Sequence, residues 1–172
     1  MSMRKRLPTA VVLLAFVFVC IQFFGDLAFF IFIQVLILAA LWEFYNLASR
    51  RNHAPQKILG CVLALVIGLS FFFISFPLSL ALFFSIALTG IYFVLSINKL
   101  EKLAGFPPSI ALTFFGALYL SFTLNHFYYL RIEKGPFWIY FLFAVIFIGD
   151  TGAYVIGHWW GRHKMAPVAS PR

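Results

Sequence analysis

Four polar side chains recur at every fourth position near the end of this sequence. They are Asp150, Tyr154, His158 and Arg162. Residues four apart are neighbours on a helix surface, so a helix here would carry them on one ridge. A carboxylate can hold Mg²⁺, and an arginine can pair with phosphate oxygens. The pattern therefore predicts a site for a metal ion and a phosphate group, with Asp150 as its acid.

A ridge of small residues lies beside the polar ridge. Its members are Gly149, Ala153, Gly157 and Gly161. Small residues at this spacing let another membrane helix approach closely. Together the two ridges predict a cleft that leads from Asp150 to the cytoplasmic surface.

Asp150 also has a structural interpretation. On a continuous helix it would lie about 14 Å from Trp159, at the interface, and so near the middle of a bilayer. A carboxylate there costs roughly 2.5–3.5 kcal/mol and needs a partner or water. The alternative to a functional role is a hydrogen bond to a neighbouring helix through Thr113, Ser121 or Asn125.

The segment after the last apolar run, "GRHKMAPVASPR", is basic and contains no acidic residue. One interpretation is an anchor on the cytoplasmic side, where Lys and Arg are enriched in short loops. The other is an anion site, because Arg and Lys bind phosphate oxygens. Next to a carboxylate that can hold Mg²⁺, the segment suggests half of a nucleoside triphosphate site, since Mg²⁺ is typically bound by carboxylates plus substrate phosphates.

The composition indicates what kind of protein carries these residues. The chain is 63% hydrophobic and only 10% charged, with a mean hydropathy of +0.99, whereas soluble domains average about 25% charged residues. The net charge of +8 does not indicate a nucleic-acid partner, because the basic residues lie at the ends of apolar runs. We therefore predict an all-α, polytopic integral membrane protein whose surroundings are the lipid bilayer.

Six apolar runs have roughly the 20 residues that cross a bilayer. They span about 7–24, 27–48, 58–76, 78–97, 110–129 and 137–160. The breaks at Gly25-Asp26 and Pro77 are required because each joined run would be far longer than the membrane is thick. The first run lacks the small residues of a signal-peptide cleavage site, so we expect an uncleaved span. These runs form one transmembrane domain with a basic tail over 161–172.

The distribution of positive charge predicts the orientation. If the N-terminus is cytoplasmic, eleven of the 13 lysines and arginines lie on the cytoplasmic side, and only Arg131 and Lys134 lie outside. This asymmetry follows the positive-inside rule. We therefore expect both ends of the chain, and the site at Asp150, to face the cytoplasm.

The segment "DTGAYVIGHWWGRHKMAPVASPR" resembles the signature of the phosphatidate cytidylyltransferases, also called CDP-diacylglycerol synthases. In that family an Asp-Thr/Ser-x-Ala-Tyr stretch leads through spaced glycines and a basic "G-[KR]-H-K" to "S-P-K-K-T-x-E-G". The matching residues are Asp150, Thr151, Ala153, Tyr154, Gly157, Gly161, His163, Lys164, Pro167, Ser170 and Pro171. "WEFYNLA" at 42–48 is similar to the family's "EFY-x-L" at the end of its second span.

The resemblance implies a reaction in which CTP and phosphatidic acid give CDP-diacylglycerol and pyrophosphate, with Mg²⁺ as cofactor. Asp150 would be the catalytic and metal-binding residue. The implied substrate-binding residues are Lys164, Ser170, Pro171, Arg172, Arg162 and Tyr154. Arg172 stands where the family usually has lysine, which keeps the charge and changes the geometry of phosphate contact. Glu43 is a further candidate, with the alternative that it pairs with Arg50 or Arg51 at the membrane interface.

The resemblance also implies that this sequence is the N-terminal part of the enzyme, because it stops before the expected "KTxEG". We expect these 172 residues to be inactive alone. A bacterial inner membrane and a homodimer are further expectations.

Two other functions are compatible with an acid inside a membrane. The first is a small transporter or channel in which Asp150 relays protons or cations, although the outer half of its span, "FWIYFLFAVIF", offers no polar path. The second is another membrane nucleotidyltransferase or a lipid kinase with a similar basic loop.

Overall fold

The computed structural model describes residues 3–51, 54–96 and 105–160. Over these ranges the chain forms six α-helices and no strand. In chain order they are α1 (Met3–Phe23), α2 (Asp26–Ser49), α3 (Lys57–Phe72), α4 (Leu78–Ser96), α5 (Phe106–Lys134) and α6 (Pro136–Trp160). The predicted all-α architecture is confirmed.

Four of the described helices, α2, α4, α5 and α6, are long and apolar enough to cross a membrane. The apolar stretches Val11–Phe23 of α1 and Lys57–Phe72 of α3 are shorter. With 16 residues, α3 is about 24 Å long, less than a hydrocarbon core of about 30 Å. The chain is a multi-pass membrane protein.

The two turns that length arithmetic required are present. Gly25 is extended (φ −63°, ψ 163°) ahead of α2, and its carbonyl accepts a 2.9 Å hydrogen bond from the Phe29 N–H. Before α4, the Pro77 carbonyl accepts hydrogen bonds from the N–H groups of Leu80 and Ala81. However, α3 ends at Phe72 and not near 76, because the backbone of Phe73 is extended (φ −100°, ψ 113°) and ends the helix. The segment that follows is a turn in which the Phe73 carbonyl accepts a 3.0 Å hydrogen bond from the Phe76 N–H.

The helix α5 is longer than its apolar run. It starts at Phe106, with prolines in its first turn, and continues through Arg131 and Lys134. Its 29 residues correspond to about 43 Å, so its charged end continues the helix instead of forming the expected loop. Gly135, with φ 88°, adopts the left-handed backbone that glycine tolerates best and ends the helix.

The centre of the fold is α5, which packs against α2, α3 and α6, while α4 packs against α3. Buried side chains such as Phe29, Ile37, Leu41 and Leu63 fill the space between α2, α3 and α5. Only Ile139 of α6 is buried. The last helix therefore rests on the bundle with its first half.

Polar side chains connect the three central helices. The Gln34 amide donates a 2.7 Å hydrogen bond to Oδ1 of Asn125, and the Ser121 hydroxyl donates a 2.7 Å bond to the Ala64 carbonyl. Asn125 and Ser121 belong to α5, so these bonds hold it to α2 and α3. Hydrogen bonds between helices are a common source of association inside membranes.

Candidate functional site

The predicted polar ridge lies on α6. This helix is continuous from Pro136 to Trp160, so Asp150, Tyr154 and His158 share one face. The rings of Tyr154 and His158 are nearly parallel, with centroids 6.2 Å apart and an interplanar angle of 11°. The polar ridge that the sequence predicted is therefore present on the surface of α6 from Asp150 to His158.

This ridge is exposed. All three of its described side chains lie on the surface, and Tyr154 has 74% of its area accessible. Within the described ranges, no side-chain hydrogen bond or ion pair involves Asp150. Its carboxylate oxygens are therefore open to a ligand from outside this part of the chain.

The ridge of small residues has no helix packed on it in the described part of the chain. A Cβ atom added at Gly149 or Gly157 would meet nothing within 4 Å. The reason is the way α6 docks, because its contacts with α5 involve its first half, as between Phe143 and Phe127 with ring centroids 5.7 Å apart. The close helix approach that the small residues predicted is therefore not made by any of the helices α1 to α5.

The structural alternative for Asp150 is not found. Oγ1 of Thr113 accepts a 2.8 Å hydrogen bond from the Gln56 N–H, while Ser121 and Asn125 bond to α3 and α2. All three turn towards the interior of the bundle, and α6 packs elsewhere on α5. Their hydrogen bonds lie within the core of the bundle and do not involve Asp150.

The described residues around Asp150 offer few ligands for a metal ion. Among the residues that the structure describes, no three His, Cys, Asp or Glu side chains are grouped so as to hold a metal. Magnesium does not require such a group, because it is usually bound by one or two carboxylates together with substrate phosphates. An exposed carboxylate with no protein partner, as at Asp150, is compatible with that mode of binding.

Most of the predicted substrate-binding residues lie outside the described ranges. They are Arg162, Lys164, Ser170, Pro171 and Arg172. Tyr154 is the predicted substrate residue that the structure describes, one turn from Asp150. Glu43 is exposed on α2, and it makes no ion pair with Arg50 or Arg51, for the salt bridge found in the described part is Arg131–Asp26.

Sequence analysis missed a polar cluster where α3, α4 and α5 meet. The Tyr92 hydroxyl donates a 2.7 Å hydrogen bond to Oε1 of Gln56. The amide of the same glutamine lies 3.4 Å from Oγ of Ser109, whose hydroxyl donates to the Ala54 carbonyl. Their scattered positions in the sequence give no periodic signal, and Gln56 lies between two of the predicted spans.

The chain matches the Cytidylyltransferase family over residues 4–172, and it belongs to that family. The resemblance found in the sequence is thereby confirmed.

Individual relatives carry a more particular name. The chain is 30% identical over 169 residues to the phosphatidate cytidylyltransferase of Staphylococcus aureus (strain COL), covering 98% of this chain and 64% of that protein. It is 33% identical over 174 residues to the enzyme of that name from Staphylococcus saprophyticus and 28% identical over 172 residues to that from Staphylococcus haemolyticus, with the same coverage. The chain thus spans about 64% of the length of these relatives. No solved structure is significantly similar to it.

Proposed function

We propose that the protein carrying this chain is a phosphatidate cytidylyltransferase. It transfers the cytidylyl group of CTP to phosphatidic acid, and it releases pyrophosphate and CDP-diacylglycerol. The observation that carries this proposal is the family match over residues 4–172, which includes the polar ridge and the whole basic segment after it. The names of the staphylococcal relatives support the choice of lipid substrate.

The transfer is a displacement at phosphorus. A phosphate oxygen of phosphatidic acid attacks the α-phosphorus of CTP and forms the new P–O bond. The bond from the α-phosphorus to the bridging oxygen breaks, and pyrophosphate leaves with its electron pair. Such reactions depend on positioning and on neutralisation of phosphate charge more than on covalent help from the protein.

The residues of the chain divide these tasks. Asp150 would hold Mg²⁺, which when bound neutralises charge on the triphosphate. The cations of Arg162, Lys164 and Arg172 would bind phosphate oxygens, with Ser170 donating a hydrogen bond and Pro171 shaping the segment between them. Tyr154 lies one turn from Asp150 on the exposed ridge, where its hydroxyl can contact a substrate bound at the acid.

The proposed setting is a bacterial inner membrane, with the site on the cytoplasmic face. The charge asymmetry supports this orientation, since Arg131 and Lys134 lie together in the last turn of α5, at the opposite end of the bundle from Arg50, Arg51 and Lys57. A homodimer and the lack of a nucleic-acid partner stay predictions that no contact of the described residues tests.

The family match favours this transferase over the two rival functions. A proton or cation relay would need a chain of polar groups along the first half of α6, where the polar atoms are those of Trp138 and Tyr140 near the start of the helix and no residue is charged. A lipid kinase would transfer the γ-phosphoryl group of a nucleotide, whereas the matched family is one of cytidylyltransferases.

The proposal is tested by varying both substrates. The protein carrying this chain, expressed from its full reading frame, is purified in detergent and given nucleoside triphosphates and lipids in pairs. We expect CDP-diacylglycerol and pyrophosphate only from CTP with phosphatidic acid. Phosphorylated diacylglycerol from ATP would identify a kinase, and the lack of any lipid product from every pair would contradict the proposal.

A further inference from the structure

A cavity of about 570 Å³ opens between α2, α3 and α4, and no residue of α6 lines it. One wall is the ring of Trp42, the opposite wall is Tyr92, and the floor is the first two turns of α3 from Gln56 to Val62. Its volume is within the usual range for ligand sites, about 300–1,000 Å³. None of the residues assigned to cytidylyl transfer takes part in it.

The polar end of this cavity carries a cation held by neutral groups. Nζ of Lys57 lies 2.5 Å from Oδ1 of Asn46 and 5.2 Å from the centre of the Trp42 ring. No carboxylate forms an ion pair with Lys57 in the described part of the chain. An ammonium group has three donors, so this lysine is fixed in place and still has hydrogen bonds to offer.

The other end of the cavity is apolar. Ile58 and Val62 line it and are 80% and 43% exposed in the isolated chain. In a bilayer these side chains face acyl chains, while the lysine and the two aromatic residues lie at the level where such residues anchor membrane proteins. The cavity is thus polar at its interfacial end and apolar towards the membrane interior.

The far wall of the cavity is also fixed. The hydrogen bond from Tyr92 to Gln56 joins α4 to the start of α3, and the Gln56 N–H is bonded to Thr113 of α5. Arg50 lies one turn beyond Asn46 on α2, and its N–H is hydrogen-bonded to the Asn46 carbonyl. The site is therefore preformed, and Lys57 is the charged residue among those that line it.

We propose that this cavity, formed by Trp42, Lys57, Val62 and Tyr92, binds an anionic glycerophospholipid of the cytoplasmic leaflet. The phosphate is held by Lys57, and one acyl chain lies along Ile58 and Val62. Charge complementarity identifies this occupant, because basic pockets between membrane helices on the cytoplasmic side recognise anionic headgroups. The inference rests on the predicted orientation and does not depend on the role of Asp150.

Native mass spectrometry of the detergent-purified protein, titrated with phosphatidylglycerol or phosphatidylcholine, tests this site. We expect phosphatidylglycerol to bind more tightly, and Lys57→Gln to weaken it about fivefold, the effect of one basic residue near an anionic lipid. Lys57→Arg should retain the preference. Lys134→Gln, which removes a lysine at the opposite end of the bundle, is the matched control and should leave both affinities unchanged.

A second variant tests the apolar end. Val62→Trp fills the cavity, so it should weaken both lipids alike and leave thermal stability in detergent near that of the parent. Asp150→Asn should bind phosphatidylglycerol normally, which separates this site from the proposed active site. Equal affinities for the two lipids in the parent protein, or an unchanged preference in Lys57→Gln, would overturn the inference.

Discussion

The phenolic hydroxyl of Tyr45 in α2 donates a 2.6 Å hydrogen bond to the main-chain carbonyl of Thr113 in α5. Tyr45 is fully buried, and its ring fills the space beside Gly60 of α3 and Gly116 of α5. One side chain thus joins the three central helices. It lies in the segment 42–48 that resembles the family's "EFY-x-L" pattern, and these contacts give that tyrosine a structural role here.

Removing the Tyr45 hydroxyl should weaken the bundle. We expect Tyr45→Phe to lower the free energy of unfolding by about 1 kcal/mol, the usual size of one hydrogen bond between membrane helices. Thermal unfolding in detergent, followed by intrinsic fluorescence, measures the change. The control is Tyr119→Phe, because Tyr119 is 56% exposed on α5. A Tyr45→Phe protein as stable as the parent would show that the bond contributes nothing.

The contact at Gly60 leads to a second prediction. A Cβ atom added there would overlap the Tyr45 ring and hydroxyl, whereas one added at Gly90 of α4 would meet nothing within 4 Å. Gly60→Ala should therefore cost about 1–3 kcal/mol through overpacking, and Gly90→Ala should have little effect or stabilise its helix slightly. Parallel thermal melts distinguish the two variants. Equal melting temperatures would mean that α2 and α3 are not in this close contact.

Arg131 holds the turn between α1 and α2 mainly through main-chain carbonyls. Its Nε donates a 2.9 Å hydrogen bond to the Ile21 carbonyl, its terminal nitrogen bonds to the Phe24 carbonyl, and its guanidinium covers the Phe29 ring at 4.7 Å. The ion pair with Asp26, at 3.4 Å, leaves the acid 71% exposed.

This geometry predicts unequal effects of removing the two charges. Arg131→Gln should cost about 2 kcal/mol, since it removes hydrogen bonds from a charged donor that is largely buried. Asp26→Asn should cost no more than about 0.5 kcal/mol, because an exposed ion pair contributes little. Thermal melts of both variants, with limited proteolysis at the turn, check this order. A larger loss from Asp26→Asn would make the ion pair the dominant contact.

Removal of divalent cations should abolish lipid product formation by the protein carrying this chain. The reason is that the Asp150 carboxylate and the triphosphate are both negatively charged, so the carboxylate would bind the substrate only through a cation. Activity is measured after chelation with EDTA and again after adding excess Mg²⁺, with recovery expected. Full activity in EDTA would contradict the assignment of Asp150 as a metal-binding residue.

The helical architecture was predictable because membrane-spanning chains must satisfy their backbone groups internally, and apolar runs of sufficient length then form helices. The turn at Gly25 followed from length, which required a break, together with the Gly25-Asp26 turn signal, which located it. The early end of α3 did not, because the residues between Phe72 and Pro77 are as apolar as the helix before them. The continuation of α5 to Lys134 was not predicted, because the apolar run ends before Arg131. Charged residues can nevertheless extend a helix beyond the hydrocarbon core.

For the candidate site, the sequence established which residues share a face but not what lies opposite them. Helical periodicity correctly placed Tyr154 and His158 on one ridge. It did not reveal that Asn125 and Ser121 face the core, because that depends on how α5 is rotated against α2 and α3. The Lys57–Trp42 contact was also missed, since its residues come from different helices and meet only through tertiary packing.

The most direct test of the account is the rate of CDP-diacylglycerol formation by Asp150→Asn in the protein carrying this chain. Asparagine keeps the size of the side chain and removes the charge that would bind Mg²⁺, so we expect kcat to fall by about 100-fold or more, with thermal stability unchanged. Glu133→Gln, which neutralises an exposed acid near the end of α5, should keep activity within about twofold of the parent, because this acid lies beside the start of α6, about 20 Å along that helix from Asp150. An Asp150→Asn enzyme with the parent's kcat would contradict the central claim that the acid of α6 handles the metal and the phosphates.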